Sequence, residues 1–343
     1  MIRTPAAIIA SLVLSAPAFA GQQMQGQQMQ GQQMQGQQMQ GTGMAGTGPV
    51  PASAAMAPPT VTTTPTPTTE APLSHRYTYW YIPGAGWATA RLTAGRLSAV
   101  DGRGRVLEGS ELVGAYVPAD QGSSQIWTMI SAASADPTFP DGHTWLYSID
   151  TIASNGTRAP LCRTDANGVA AAIPVAAVFN THGDRVESSV NFTFSCTAGV
   201  IAKCYRWGYM PWLDGAGTST EFARLHWACT RMARADYCGN GNTWTQNGTL
   251  INVWDRAPAP GPFQLHGSPP PGFLFEAGWS TNGAVCLSKQ RWATLPPNVA
   301  ASCPDRLIAP GVATTTASVC NTDNEAVQFD ATTQLFNESL VNH

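Results

Sequence analysis

The sequence predicts an α+β fold, β-dominated, with antiparallel sheets, one principal helix over about residues 218–235 and a framework of disulfides. Three observations point there. Short alternating runs separated by turn dipeptides recur from residue 75 onward, only one segment carries a sustained helical period, and all 8 cysteines fall after residue 160.

The chain opens with Arg3, an apolar stretch from Ala6 to Leu14, and Ala18-Phe19-Ala20 before Gly21. That order of charge, apolar run and small residues predicts a signal peptide over residues 1–20, cleaved between Ala20 and Gly21, and export to the periplasm or the medium. The apolar run is shorter than the roughly 20 residues that cross a bilayer. No transmembrane segment is therefore expected in the mature chain.

Residues 21–74 read as a low-complexity, disordered tether. GQQMQ occurs four times in succession, followed by a Pro/Thr/Ala-rich run. A five-residue period turns each Met by about 140° around a helix, so no apolar face accumulates. Met24, Met29, Met34, Met39 and Met44 are soft thioether donors of the kind that suit Cu(I). Repeat expansion accounts for the same spacing without a ligand.

Residues 75–343 are expected to form a single globular domain. Strands are predicted at Trp87–Leu92, Glu111–Val117, Gln125–Ser131, Thr144–Thr151, Val169–Phe179 and Val190–Cys196, with turns at Asp101-Gly102, Asp141-Gly142, Asn155-Gly156 and Asn167-Gly168. Ser188 to Ser195 alternates as a strand with one buried face would. Thr218 and Glu221 have the spacing of a capping box. After them Phe222, Leu225, Cys229 and Met232 share one helical face, and Arg224, Trp227, Arg231 and Arg234 share another. Further strands are expected at Leu250–Trp254, Phe273–Ala277 and Ala284–Leu287, with a short helix including Lys289 to Trp292.

Charged residues make up 11% of the chain and the formal net charge is -3, so no broad basic field exists for nucleic acid or an anionic membrane. An even cysteine set in an exported chain reads as disulfides at Cys162, Cys196, Cys204, Cys229, Cys238, Cys286, Cys303 and Cys320. Eight cysteines allow about 105 pairings. Short loops favour Cys196–Cys204, Cys229–Cys238 and Cys286–Cys303, which leaves Cys162–Cys320. No C-x-x-C occurs, so no zinc site is expected, and no cofactor motif is present.

The segment Cys229 to Gly241 contains Ala235-Asp236-Tyr237-Cys238, and on these residues the chain resembles the ADYC-domain family of exported bacterial proteins. The resemblance extends to Lys203-Cys204, Gly208 to Trp212, Asn247 to Asp255 and Phe275 to Trp279, and covers about residues 160–290. It implies a lineage and an extracytoplasmic location, and carries over no catalytic residue.

No H-E-x-x-H, G-x-S-x-G or phosphate-binding loop is present. Candidate catalytic residues are the carboxylates Asp236, Asp255 and Glu276, which would divide acid and base roles if two faced each other across a cleft. His226 is the fourth, three residues before Cys229 on the same helix. Each also has a plain structural reading as a cap, an ion-pair partner or a packed side chain. Candidate ligand-binding residues are Trp207, Tyr209 and Trp212 in an irregular segment, with Trp227 and Arg231 on the helix. Their flat faces suit sugars or other components of the cell envelope, and they equally suit a core. The four Asn-x-Ser/Thr sequons at Asn155, Asn191, Asn247 and Asn337 carry no argument in the bacterial host that the resemblance implies. The expectation is an exported binding or structural module, with a hydrolase of envelope or extracellular polymers as the alternative.

Overall fold

A computed structural model describes residues 72–137, 139, 143–213, 221–246, 249–256, 271–292, 303, 319–331, 333 and 335–340. The signal peptide, the GQQMQ repeats, almost all of the tether, Thr218 and the Asp141-Gly142 turn lie outside the described residues.

In chain order the strands are β1 (Ser74–Arg76), β2 (Trp80–Ile82), β3 (Gly86–Thr93), β4 (Arg96–Asp101), β5 (Val106–Glu108), β6 (Tyr116–Gln121), β7 (Ser124–Ala135), β8 (Trp145–Ile152), β9 (Arg158–Pro160), β10 (Ala172–Val175), β11 (Val178–Phe179), β12 (Arg185–Val186) and β13 (Asn191–Cys196). Helices α1 (Val200–Arg206) and α2 (Glu221–Arg234) follow. The chain then forms β14 (Ile251–Asp255), β15 (Phe273–Ser280), β16 (Gly283–Leu287), α3 (Asp323–Phe329) and β17 (Leu335–Leu340).

Six strands close on themselves in the order β1-β13-β10-β8-β7-β6, because β1 pairs antiparallel with both β13 and β6. This β-barrel has no free edge along that ring. Strands β2 to β5 run on from β6 as a sheet whose inner face joins the same core: Trp80, Ile82, Leu97 and Leu107 pack in one cluster with Val117, Ile130, Tyr147, Phe192 and Phe194. The Tyr147 hydroxyl accepts from the Leu97 amide at 3.1 Å, which ties the extension to the barrel.

Strand β13 was expected to bury one face and buries both. Phe192, Phe194 and Cys196 fill the barrel, while the outer side of β10 and β11 is covered by Ile201, Ala202 and Tyr205 of α1. The chain that the sequence assigned to a strand over Glu111–Val117 first makes a 3-10 turn at Gly109–Leu112 and enters β6 only at Tyr116. Lys289 to Trp292 forms no helix. Helix α1 and strand β17 are short segments whose apolar residues form no full period, and α3 opens on the capping pair Thr322 and Glu325, which the sequence reading passed over.

The second sheet has the order β14-β17-β15-β16 and lies between two helices. Leu225, Ala228, Cys229 and Met232 of α2 pack on Val253, Ala277, Trp279 and Leu335. Phe275, Phe336 and Cys286 on the opposite face meet Ala326 of α3. Four disulfides join these layers: Cys162–Cys196 in the barrel, Cys204–Cys229 between α1 and α2, Cys238–Cys303, and Cys286–Cys320 beneath α3. None of the three pairings favoured by short loops forms, nor does the Cys162–Cys320 pairing they would leave. Burial decides instead, since each cysteine meets the one packed across its own core layer, at sequence separations of 25 to 65.

Candidate functional site

The four residues Ala235 to Cys238 follow the last turn of α2, and each has a distinct task. Ala235 takes a left-handed conformation at φ 52°. Its amide donates to Met232 O and that of Asp236 to Arg231 O, both at 2.9 Å, which is the paired bond pattern of a Schellman helix end. Glycine usually occupies this position. Alanine is held there although the left-handed region costs it about 1–2 kcal/mol, and its methyl is fully buried in the α2 core.

Asp236 is fully buried and accepts from Arg231 Nη1 at 2.6 Å and from the amides of Asn240 and Gly241 at 3.1 and 3.0 Å. Arg231, 1% exposed, donates to His182 O at 2.6 Å and Thr281 O at 3.0 Å, and pairs with Asp184. One guanidinium thus ties the β11–β12 turn, the β15–β16 turn and the end of α2. The arginine-bearing face of α2 is in this part an internal fastening. Arg224, at the other end of α2, pairs with Glu221 at 3.2 Å.

Tyr237 turns inward, stacks on Trp279 at 5.3 Å and meets Trp244 edge-on at 6.2 Å. Its hydroxyl donates to Glu276 Oε1 at 3.0 Å and accepts from the Arg291 amide at 2.7 Å. Glu276 is the extra residue of a bulge, because Phe275 opposes Glu338 and Ala277 opposes Asn337. A bulge redirects a side chain, and here it sends the carboxylate to the α2 side. There Arg291 grips it in a fork, Nε to Oε2 at 3.0 Å and Nη2 to Oε1 at 2.9 Å, with both side chains 0% exposed. Arg291 also donates to the carbonyls of Met232 and Ala233 at 2.8 and 3.2 Å, capping α2. Burial alone would raise the Glu276 carboxyl; the charge and hydrogen bonds of Arg291, with Ser339 and Lys289, outweigh it and hold the group below its ordinary value.

Cys238 bonds to Cys303, and Gly239 lets the loop meet the β15–β16 turn: a Cβ there would sit 2.1 Å from Asn282 O. The Ala284 amide donates to Tyr237 O at 3.0 Å, completing the contact.

The carboxylates Asp236 and Glu276 therefore engage two different arginines. Asp255, 1% exposed, lies beside Tyr209; burial first, and the Asp255 charge second, push that phenol well above its ordinary value. His226 is fully buried, with Nε2 3.0 Å from Ile201 O and its ring edge-on to Tyr205 at 4.6 Å. Burial, then the charge of Arg185, lowers it to about 3. Cys229 is joined to Cys204. Among the aromatic candidates Tyr209 is in the core, Trp207 packs against that core, Trp212 leans on Tyr205 at 5.1 Å and Trp227 is half-buried.

Arg291 and Lys289 went unnoticed in sequence reading. Arg291 stands 15 residues from its partner, and no local pattern marks it. Lys289 Nζ reaches Ser339 Oγ at 2.8 Å and Leu340 O at 2.6 Å, fastening the end of β17.

No curated protein and no solved structure matches the chain. The ADYC domain profile matches residues 109–293, beginning some fifty residues earlier than the motif string suggested and taking in the β6, β7 and β8 strands. With that match over more than half its length and the ADYC residues themselves at the centre of the second core, the chain belongs to the ADYC domain family.

Proposed function

We propose that this protein works outside the cytoplasm as a binding or structural module, with the ADYC segment as its internal scaffold. The observation that supports this reading most is the complete engagement of Asp236 and Glu276, each buried and each spent on an arginine. A hydrolytic pair needs one carboxyl free to give a proton and one free to take it across a space that holds substrate. Four disulfides agree with an oxidising compartment, and among the described residues no helix is long and apolar enough to cross a membrane.

The test is a comparison of exported wild type with Glu276→Gln and Asp236→Asn. The expected result is a mature chain beginning at Gly21 without free thiols, lowered stability in both variants, and no polymer turnover that either substitution abolishes. Turnover of an envelope polymer that disappears in a folded Glu276→Gln protein would overturn the reading in favour of a hydrolase.

A further inference from the structure

Three of the exposed aromatic side chains among the described residues, Tyr79, Tyr81 and Trp87, gather about strands β2 and β3. Strand β2 buries Trp80 and Ile82 and turns Tyr81 outward; β3 buries Ala88 and Ala90 and turns Trp87, Thr89 and Arg91 outward. Tyr81 stands directly opposite Trp87 on one side and Tyr116 of β6 on the other. Facing residues in antiparallel strands share one face of the sheet. Tyr116, Tyr81 and Trp87 thus form a row across three strands, with ring centroids 6.3 and 5.5 Å apart. Trp87 is 60% exposed and Tyr81 43%.

Leaving large aromatic area in water sacrifices stabilisation that burial would supply, and such clusters mark contact surfaces. A second cost lies beside the row. Tyr79, two residues before Tyr81, is held at φ 64° while 68% exposed. No burial compensates that backbone strain, and strain kept at a surface points to a function for it.

We infer that this row binds a single polysaccharide chain carrying carboxylate groups, an inference that rests on the binding reading above. Stacked sugar faces require successive aromatic rings at about the spacing of sugar units, which the row supplies. Its rings are turned 48° and 67° to one another, so the surface is stepped. It fits one twisted chain and mismatches the flat face of a crystalline polymer. Arginines stand at both ends of it, and the carboxylate on the same face, Asp150, lies two strands beyond Tyr116. Arg158 donates to the Tyr116 hydroxyl at 3.3 Å at one end, and Thr89 and the exposed Arg91 continue the face of β3 at the other. Glu108, on the same face two strands from Arg91, is paired with Arg96. Guanidinium forks match carboxylates.

The experiment is affinity electrophoresis of the full exported protein through gels containing polygalacturonate, a neutral soluble glucan, or neither, with thermal midpoints measured alongside. Wild type is expected to be retarded by polygalacturonate more than by the glucan. Trp87→Ala and Tyr81→Ala should each weaken retardation at least tenfold with little change in midpoint, because both rings stand in solvent. Arg158→Gln should erase the preference for the acidic chain. No retardation of wild type by either polymer, or unchanged retardation in both aromatic variants, overturns the site; equal retardation by both polymers overturns the charge assignment. Sedimentation of the same variants with cell envelopes separates the two levels of the claim. Trp87→Ala protein that still sediments leaves the binding module standing and removes only this surface.

Discussion

Two imidazoles show what single residues contribute. His226, on α2, packs against α1, and His75 lies in the barrel between Phe192 and Phe194, at 5.6 and 4.8 Å. Burial lowers each to about 3; for His75 the Leu73 backbone and the charge of Asp120 offset only part of that. A group whose folded value is depressed favours the folded state fully above its unfolded value, here 6.5, and that contribution is lost as pH falls toward the folded value. Each imidazole adds a slope of about 1.4 kcal/mol per pH unit in that window. Glu276, also depressed, acts in the same direction at still lower pH. Stability should therefore drop steeply between pH 6 and pH 4, and His75→Phe with His226→Gln should flatten the dependence. Superimposable urea midpoints for wild type and the double variant across that range would show that the imidazoles are not its source.

At the scale of an element, the end of α2 inverts the usual preference for glycine. Ala235 holds a position where glycine is easier, and Gly239, four residues on, holds one where only glycine fits. Ala235→Gly relieves backbone strain of about 1 kcal/mol and gives up a buried methyl of similar worth. It should leave the unfolding midpoint nearly unchanged. Gly239→Ala must push apart the loop and the β15–β16 turn at a left-handed φ of 66°, a cost of about 2–4 kcal/mol from overpacking and strain together. Chemical denaturation of the two variants reads both values, and a Gly239→Ala protein as stable as wild type would mean that the turn does not dock on this loop.

At the scale of the whole chain, the family match and the folding unit have different limits. Residues 109–293 omit β1, which closes the barrel, and β17, which lies between β14 and β15 at the centre of the second sheet. They also omit Cys303 and Cys320, partners of Cys238 and Cys286. A fragment of residues 109–293 should consequently lack a cooperative unfolding transition and present Cys238 and Cys286 to alkylation. The mature chain should show one transition and no reactive thiol.

Local readings succeeded where a periodic pattern coincides with burial. The spans at Trp87–Leu92, Gln125–Ser131, Thr144–Thr151 and Val190–Cys196 match β3, β7, β8 and β13 within a few residues, and α2 occupies Glu221–Arg234 of the expected 218–235. The antiparallel β-dominated class and the bonded state of all eight cysteines followed from the sequence alone, because alternation, turn chemistry and an even thiol count are properties of short stretches and of composition. Closure of the barrel, the disulfide partners, the Glu276–Arg291 fork and the aromatic row of Tyr81, Trp87 and Tyr116 belong to the tertiary structure. Each joins residues whose meeting depends on strand register and on which face a bulge or a pleat presents, and no single stretch of chain encodes that.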